Sequence, residues 1–108
     1  MKMTLFAAAL FACSVSTAAL ADGAAEIWKA RCKSCHGEDG KAKTRTGEKE
    51  RIPDFTTARW QETFTDADIK QIITDGSMAN EKMKPFKEKL TGQEIDALVK
   101  YIRGMKGK

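Results

Sequence analysis

Five consecutive residues constrain this chain more than anything else in it: Cys32-Lys33-Ser34-Cys35-His36, followed by Gly37. On a helix, Cys32 and Cys35 stand three apart and Cys32 and His36 four apart, so two sulfurs and an imidazole project from one face. Three groups so placed can grip one flat cofactor. Cys-x-x-Cys-His is the attachment signature of c-type haem, in which two thiols join the haem vinyl groups as thioethers and the imidazole ligates the iron. Gly37 is placed to end the turn as a C-terminal glycine. Two other uses of such residues fit less well. Structural zinc needs four ligands, yet no cysteine follows Cys35 and His36 is the only histidine. A thioredoxin-like pair prefers a strand-helix context, and the flanks here read as helix.

The N-terminus reads as a secretory signal peptide over 1–21. Lys2 precedes an apolar run from Leu5 to Ala12, and small residues end in Ala19-Leu20-Ala21, an A-x-A cleavage site. The run is too short to be a membrane anchor. A lesser reading takes Leu10-Phe11-Ala12-Cys13 as a lipoprotein box with a lipid on Cys13, although Phe11 is bulky where that motif has a small residue. Removal of the leader leaves residues 22–108 as one small domain outside the cytoplasm, and two cysteines in place of three. So short a chain buries a marginal core, which a covalently held haem would complete in the way small scaffolds use staples.

Hydrophobic periodicity gives three main helices and no convincing strand. Ala24, Ile27, Trp28 and Cys32 follow a helical period that leads into the cysteine motif. Thr65-Asp66-Ala67-Asp68 reads as a capped start, Ile69, Ile72 and Ile73 as the stripe behind it, and Gly76 as the stop. Thr91-Gly92-Gln93-Glu94 is a capping box before Ile95, Leu98, Val99 and Ile102, with Gly104 as the end. Between the first two helices, Glu38 to Arg51 is polar and glycine-containing, and is expected to be an exposed, mobile loop. Pro53 pushes Ile52 towards an extended conformation. Phe55 and Trp60 are the next bulky residues. Both are expected to line the haem pocket, with the Trp60 N–H near a propionate, or else to pack in the core without touching the cofactor.

The iron also needs a partner on its other face. With no second histidine, methionine is the available soft ligand, and it raises the reduction potential. Met1 and Met3 leave with the leader and Met105 lies beyond the last helix, so Met78 and Met83 remain.

Taken in order, these parts resemble the class I c-type cytochromes. The likeness runs from about Ala24 to Arg103 through Cys32 to Gly37, Pro53-Asp54-Phe55, Thr65 to Gly76, Met83-Lys84-Pro85-Phe86 and Glu94 to Arg103. It implies an all-α class I cytochrome c fold, three main helices and long loops wrapped around one haem c attached at Cys32 and Cys35. It implies His36 and Met83 as axial ligands, Met83 because an aromatic and then the capped last helix follow it, at Phe86 and Thr91. It further implies that the Pro53 carbonyl accepts a bond from His36 Nδ1–H, and that Ala24 and Trp28 cross Leu98 and Tyr101. Export agrees with it, because this family receives haem on exported, unfolded chains.

An iron closed on both faces exchanges single electrons without binding substrate. The expected function is therefore a soluble periplasmic electron carrier, not an enzyme. The alternatives are a gas-binding or sensing haem protein in which the methionine is displaced, and a dedicated electron-transfer subunit of a larger oxidoreductase. Nineteen basic residues face fifteen acidic ones; loss of Lys2 leaves eighteen. Lys29, Arg31 and Lys33 flank the cysteines, and Lys82, Lys84, Lys87 and Lys89 flank Met83. A basic ring so placed suits redox partners with an acidic docking surface. No base-stacking set or motif points to nucleic acid, no stable membrane insertion is expected, and the protein is expected to be a monomer.

Overall fold

The structure, a computed structural model, describes residues 17–108. The apolar run of the expected leader and Cys13 lie outside the described residues. Six α-helical segments occur, and no strand appears among the described residues: α1 (Thr17–Ile27), α2 (Lys33–His36), α3 (Arg45–Lys49), α4 (Ala58–Thr63), α5 (Asp66–Asp75) and α6 (Gly92–Arg103). Among the described residues, no helix is long and apolar enough to cross a membrane.

The first and last helices cross. Ala24 and Trp28, one turn apart on α1 and its extension, are 1% and 2% exposed, and they meet the α6 face that carries Leu98, 1% exposed. The small Ala24 side chain lets two backbones approach, and the Trp28 and Tyr101 rings lie 5.6 Å apart at 45°. Between α1 and α2 the helix does not break but widens: Trp28–Cys32 is one π-helical turn, closed by the Lys33 N–H on the Trp28 carbonyl. Such turns cluster at functional sites. Gly37 then ends α2 at φ +79°, a conformation that other residues rarely adopt. The Trp28 indole N–H donates to the Gly37 carbonyl at 2.9 Å, bracing the π turn from its far side.

Two capping boxes set the other long helices. Thr65 accepts from Asp68 N–H at 3.1 Å while Asp68 accepts from Thr65 N–H at 2.9 Å. Thr91 and Glu94 repeat the exchange at 3.1 and 2.9 Å. Ile95, Leu98, Val99 and Ile102 form the buried stripe of α6, and Ile69 and Ile73 that of α5. Gly76 caps α5 at φ +84°, where a Cβ would stand 2.8 Å from the Met83 carbonyl.

The segment from Glu38 to Arg51 corrects an expectation. It is not a loose loop: α3 lies within it, and Ala42 and Gly47 are buried. Its order comes from the backbone of the cysteine motif. Ala42 N–H donates to the His36 carbonyl at 2.8 Å, and the Thr44 hydroxyl to the Cys35 carbonyl at 2.7 Å. On α4, Gln61 is buried and donates to the Phe55 and Ile102 carbonyls at 2.7 and 3.0 Å. Arg103 joins the Gln61 carbonyl at 2.7 Å and Asp66 at 2.6 Å, tying α4, α5 and α6 together.

Candidate functional site

The π turn and α2 present Cys32, Cys35 and His36 to one cavity of about 400 Å³, within the range of small-molecule and cofactor sites. Phe55, Trp60 and Phe64 form an aromatic wall, α5 contributes Ile69, Ile72 and Ile73, and the segment before α6 contributes Met83 and Phe86. The aromatic rings are stacked in series, Phe55 on Trp60 at 4.2 Å and Trp60 on Phe64 at 5.2 Å.

Cys32 and Cys35 are half-buried and not joined to each other. Burial pushes the Cys32 thiol up to about 11, against the opposing pull of Arg31, so it stays protonated near neutrality. The same cause brings His36 down to about 4 and leaves its imidazole neutral, the form that carries a lone pair for a metal. His36 joins two rings in a triangular cluster, 4.8 Å from Phe55 and 5.7 Å from Trp28, which lie 6.4 Å from each other. Its Nδ1 is buried and has no hydrogen-bond partner.

Pro53, whose carbonyl the resemblance pairs with His36 Nδ1–H, lines the same cavity. A buried polar atom without a partner costs free energy, and calls for a functional explanation. Two thiols and a neutral imidazole on one wall of an apolar cavity fit the haem group. Trp60 lines the same cavity, half-buried.

The two methionines separate. Met83 is partly buried against the core and lines the cavity, whereas Met78 is fully exposed. A short loop delivers Met83: Ser77 N–H donates to the Met83 carbonyl, and Met83 N–H to the Asn80 carbonyl, each at 3.1 Å. Phe86 N–H and Lys87 N–H then bond to α5 carbonyls of Ile73 and Thr74 at 2.9 and 3.2 Å. The loop is also held from across the rim, where Glu50 accepts Lys82 Nζ at 2.6 Å and Asn80 Nδ2 at 3.1 Å. These bonds, Lys82 first, hold the Glu50 carboxyl below its ordinary value. Glu50 carries no signal in the sequence, because nothing in its local pattern points to a partner thirty residues away. Of the expected basic ring, Lys82 is thus paired, Lys87 stands 3.9 Å from Asp75, and Lys89 lies over the Phe86 ring at 5.8 Å.

An all-helical shell around a Cys-x-x-Cys-His wall and an apolar cavity defines a class I monohaem c-type cytochrome. Residues 19–102 match the family described as cytochrome c oxidase, cbb3-type, subunit III, and the chain belongs to that family. It is also similar to a solved structure described as the KustC0563 c-type cytochrome, at 40% identity over 77% of this chain and 96% of the other, with a TM-score of 0.70. A point mutant of that protein matches at 39% identity over 78% of this chain and 99% of its own, with a TM-score of 0.68. The cofactor of this class is covalently bound haem c, and its work is haem-based electron transfer.

Proposed function

We propose that the protein is a soluble periplasmic carrier of single electrons, not an enzyme, with Cys32 and Cys35 as the haem anchors and His36 and Met83 as the axial ligands. The observation that supports it most is the placement of Met83 in the cavity shared with Cys32, Cys35 and His36, while Met78 points to solvent. The haem supplies an iron that gains and loses one electron. The chain does the rest. His36 and Met83 would hold the iron from its two sides and so keep substrate away, and Cys32 and Cys35 would keep the group from leaving. Phe55, Phe64 and the isoleucines of α5 exclude water, and Trp60, on the same wall, would offer its N–H to a propionate. The residues 1–21 support export, with a lipid on Cys13 as the lesser alternative. Basic residues around Cys35 and Met83 suit a redox partner with an acidic docking surface, met by a monomer.

Absorption of the ferric protein tests the ligand set, because methionine sulfur on ferric haem gives a weak far-red band. Met83→Ala is expected to abolish the band and lower the potential, and Met78→Ala to leave both; the reverse pattern overturns the assignment. Carbon monoxide is expected not to bind the reduced protein readily, which separates a carrier from a gas sensor. The family description, a subunit of an oxidase, favours one second reading, an electron-transfer subunit held permanently to an enzyme. Stoichiometric co-purification with a large partner would establish it.

A further inference from the structure

At one side of the cavity mouth, two segments far apart in the chain are held together by a single carboxylate. Glu50 follows α3, and its two oxygens receive one donor each, Lys82 Nζ and Asn80 Nδ2. All three residues line the cavity. The Glu50 side chain is 17% exposed while that of Lys82 is 57% exposed, so the carboxylate sits sheltered beneath its partner.

Asn80 gives the contact its reach. Its carbonyl accepts Met83 N–H at 3.1 Å and its Oδ1 accepts Lys82 N–H at 3.0 Å, while its Nδ2 donates to Glu50. One residue therefore joins the Glu50 carboxylate to the Met83 backbone. On the other side, Glu50 N–H donates to the Thr46 carbonyl at 2.8 Å, and α3 is fixed to the Cys35 carbonyl through Thr44. An unbroken series of contacts thus runs from the cysteine motif to the methionine loop.

We propose that Glu50 is a positioning residue that holds the Met83 loop closed over the cavity and so sets how often the methionine sulfur leaves the iron. The proposal rests on Met83 being the axial ligand. An isolated exposed ion pair contributes little to stability. Glu50 differs in engaging two donors of one short loop and in being attached at its other end to the opposite wall. A ligand that enters only when the loop is open binds in proportion to the open fraction, and that is the quantity Glu50 controls.

Imidazole added to the ferric holoprotein reads it directly, through loss of the far-red band. Glu50→Gln keeps the shape and removes the charge; it is expected to tighten apparent imidazole binding about fivefold, the scale of a charged surface contact. Lys82→Gln breaks the contact from the loop side and is expected to act in the same direction. Raising ionic strength should bring the unsubstituted protein towards Glu50→Gln while the variant itself stays flat. Asp96→Asn removes a comparable pair, Lys70 to Asp96 at 2.8 Å on α5 and α6, and is expected to leave imidazole binding unchanged. Imidazole affinity unaltered in both Glu50→Gln and Lys82→Gln, or raised as much by Asp96→Asn, overturns the proposal. If the band is lost in Met83→Ala and these variants still have no effect, the Glu50 role alone fails; if the band survives Met83→Ala, the ligand reading beneath it fails.

Discussion

The Thr44 hydroxyl donates to the Cys35 carbonyl at 2.7 Å and at the same time accepts Gly47 N–H at 2.8 Å. One side chain therefore caps α3 and fixes the last turn of the cysteine motif to it. Thr44→Val keeps the shape and loses both bonds, and is expected to cost about 1–2 kcal/mol, the scale of a lost N-cap. Thr44→Ser should restore most of it. Urea unfolding of the holoprotein followed by helical circular dichroism measures both; equal midpoints for Thr44→Val and the unsubstituted protein would refute the role.

Gly47 packs directly against the same carbonyl and against that of Ala42. A Cβ there would stand 2.8 Å from the Cys35 oxygen and closer still to that of Ala42. Gly47→Ala is expected to destabilise by about 1–3 kcal/mol, as overpacking does. Gly92, at the start of α6, has nothing within 4 Å of its Cβ position, so Gly92→Ala should be neutral or slightly stabilising. Thermal unfolding of the two variants side by side checks the contrast.

An apolar cavity of about 400 Å³ is more than a small helical domain sustains by itself. Its apolar lining meets water unless a group fills it, in a domain small enough for its core to be marginal. A Cys32→Ser/Cys35→Ser variant made without haem is therefore expected to lose most of its helical circular dichroism and its cooperative melt. A folded, cooperatively melting apo form would contradict this.

Acid should weaken the start of α5 in a predictable direction. Bonds from the Thr65 backbone and then the Thr65 hydroxyl hold the Asp68 carboxyl below its ordinary value. A carboxylate depressed in the folded state adds stability that is complete above its unfolded value, near 3.9, and is lost as pH falls through the folded one. Asp68→Asn should therefore narrow the stability difference between neutral pH and pH 3. Urea midpoints at the two pH values test it; an undiminished difference in Asp68→Asn would assign the acid sensitivity elsewhere.

Much of this architecture was legible before any coordinates. The 3.6-residue stripes at Ile69 to Ile73 and Ile95 to Ile102, with their threonine caps, mark α5 and α6 because burial and capping leave a local imprint. The spacing of Cys32, Cys35 and His36 likewise states its own geometry. What stayed hidden is what depends on partners far along the chain. The Glu38 to Arg51 stretch looks loose because its order comes from carbonyls of Cys35 and His36, which carry no residue identity. Met105 is buried against Gly40 although it lies past the glycine that ends α6. The π turn at Trp28–Cys32 has no periodic signal at all.

The crossing of α1 on α6 joins the two ends of the described chain. A polypeptide that emerges N-terminus first shows Trp28 to solvent long before Leu98 has arrived to cover it, and contacts so distant in sequence form late. Until the final residues are out, Cys32 and Cys35 remain on an open strand of chain within reach of whatever chemistry must be done on them. The closing of that last interface acts as a clock, and maturation has to finish before it strikes.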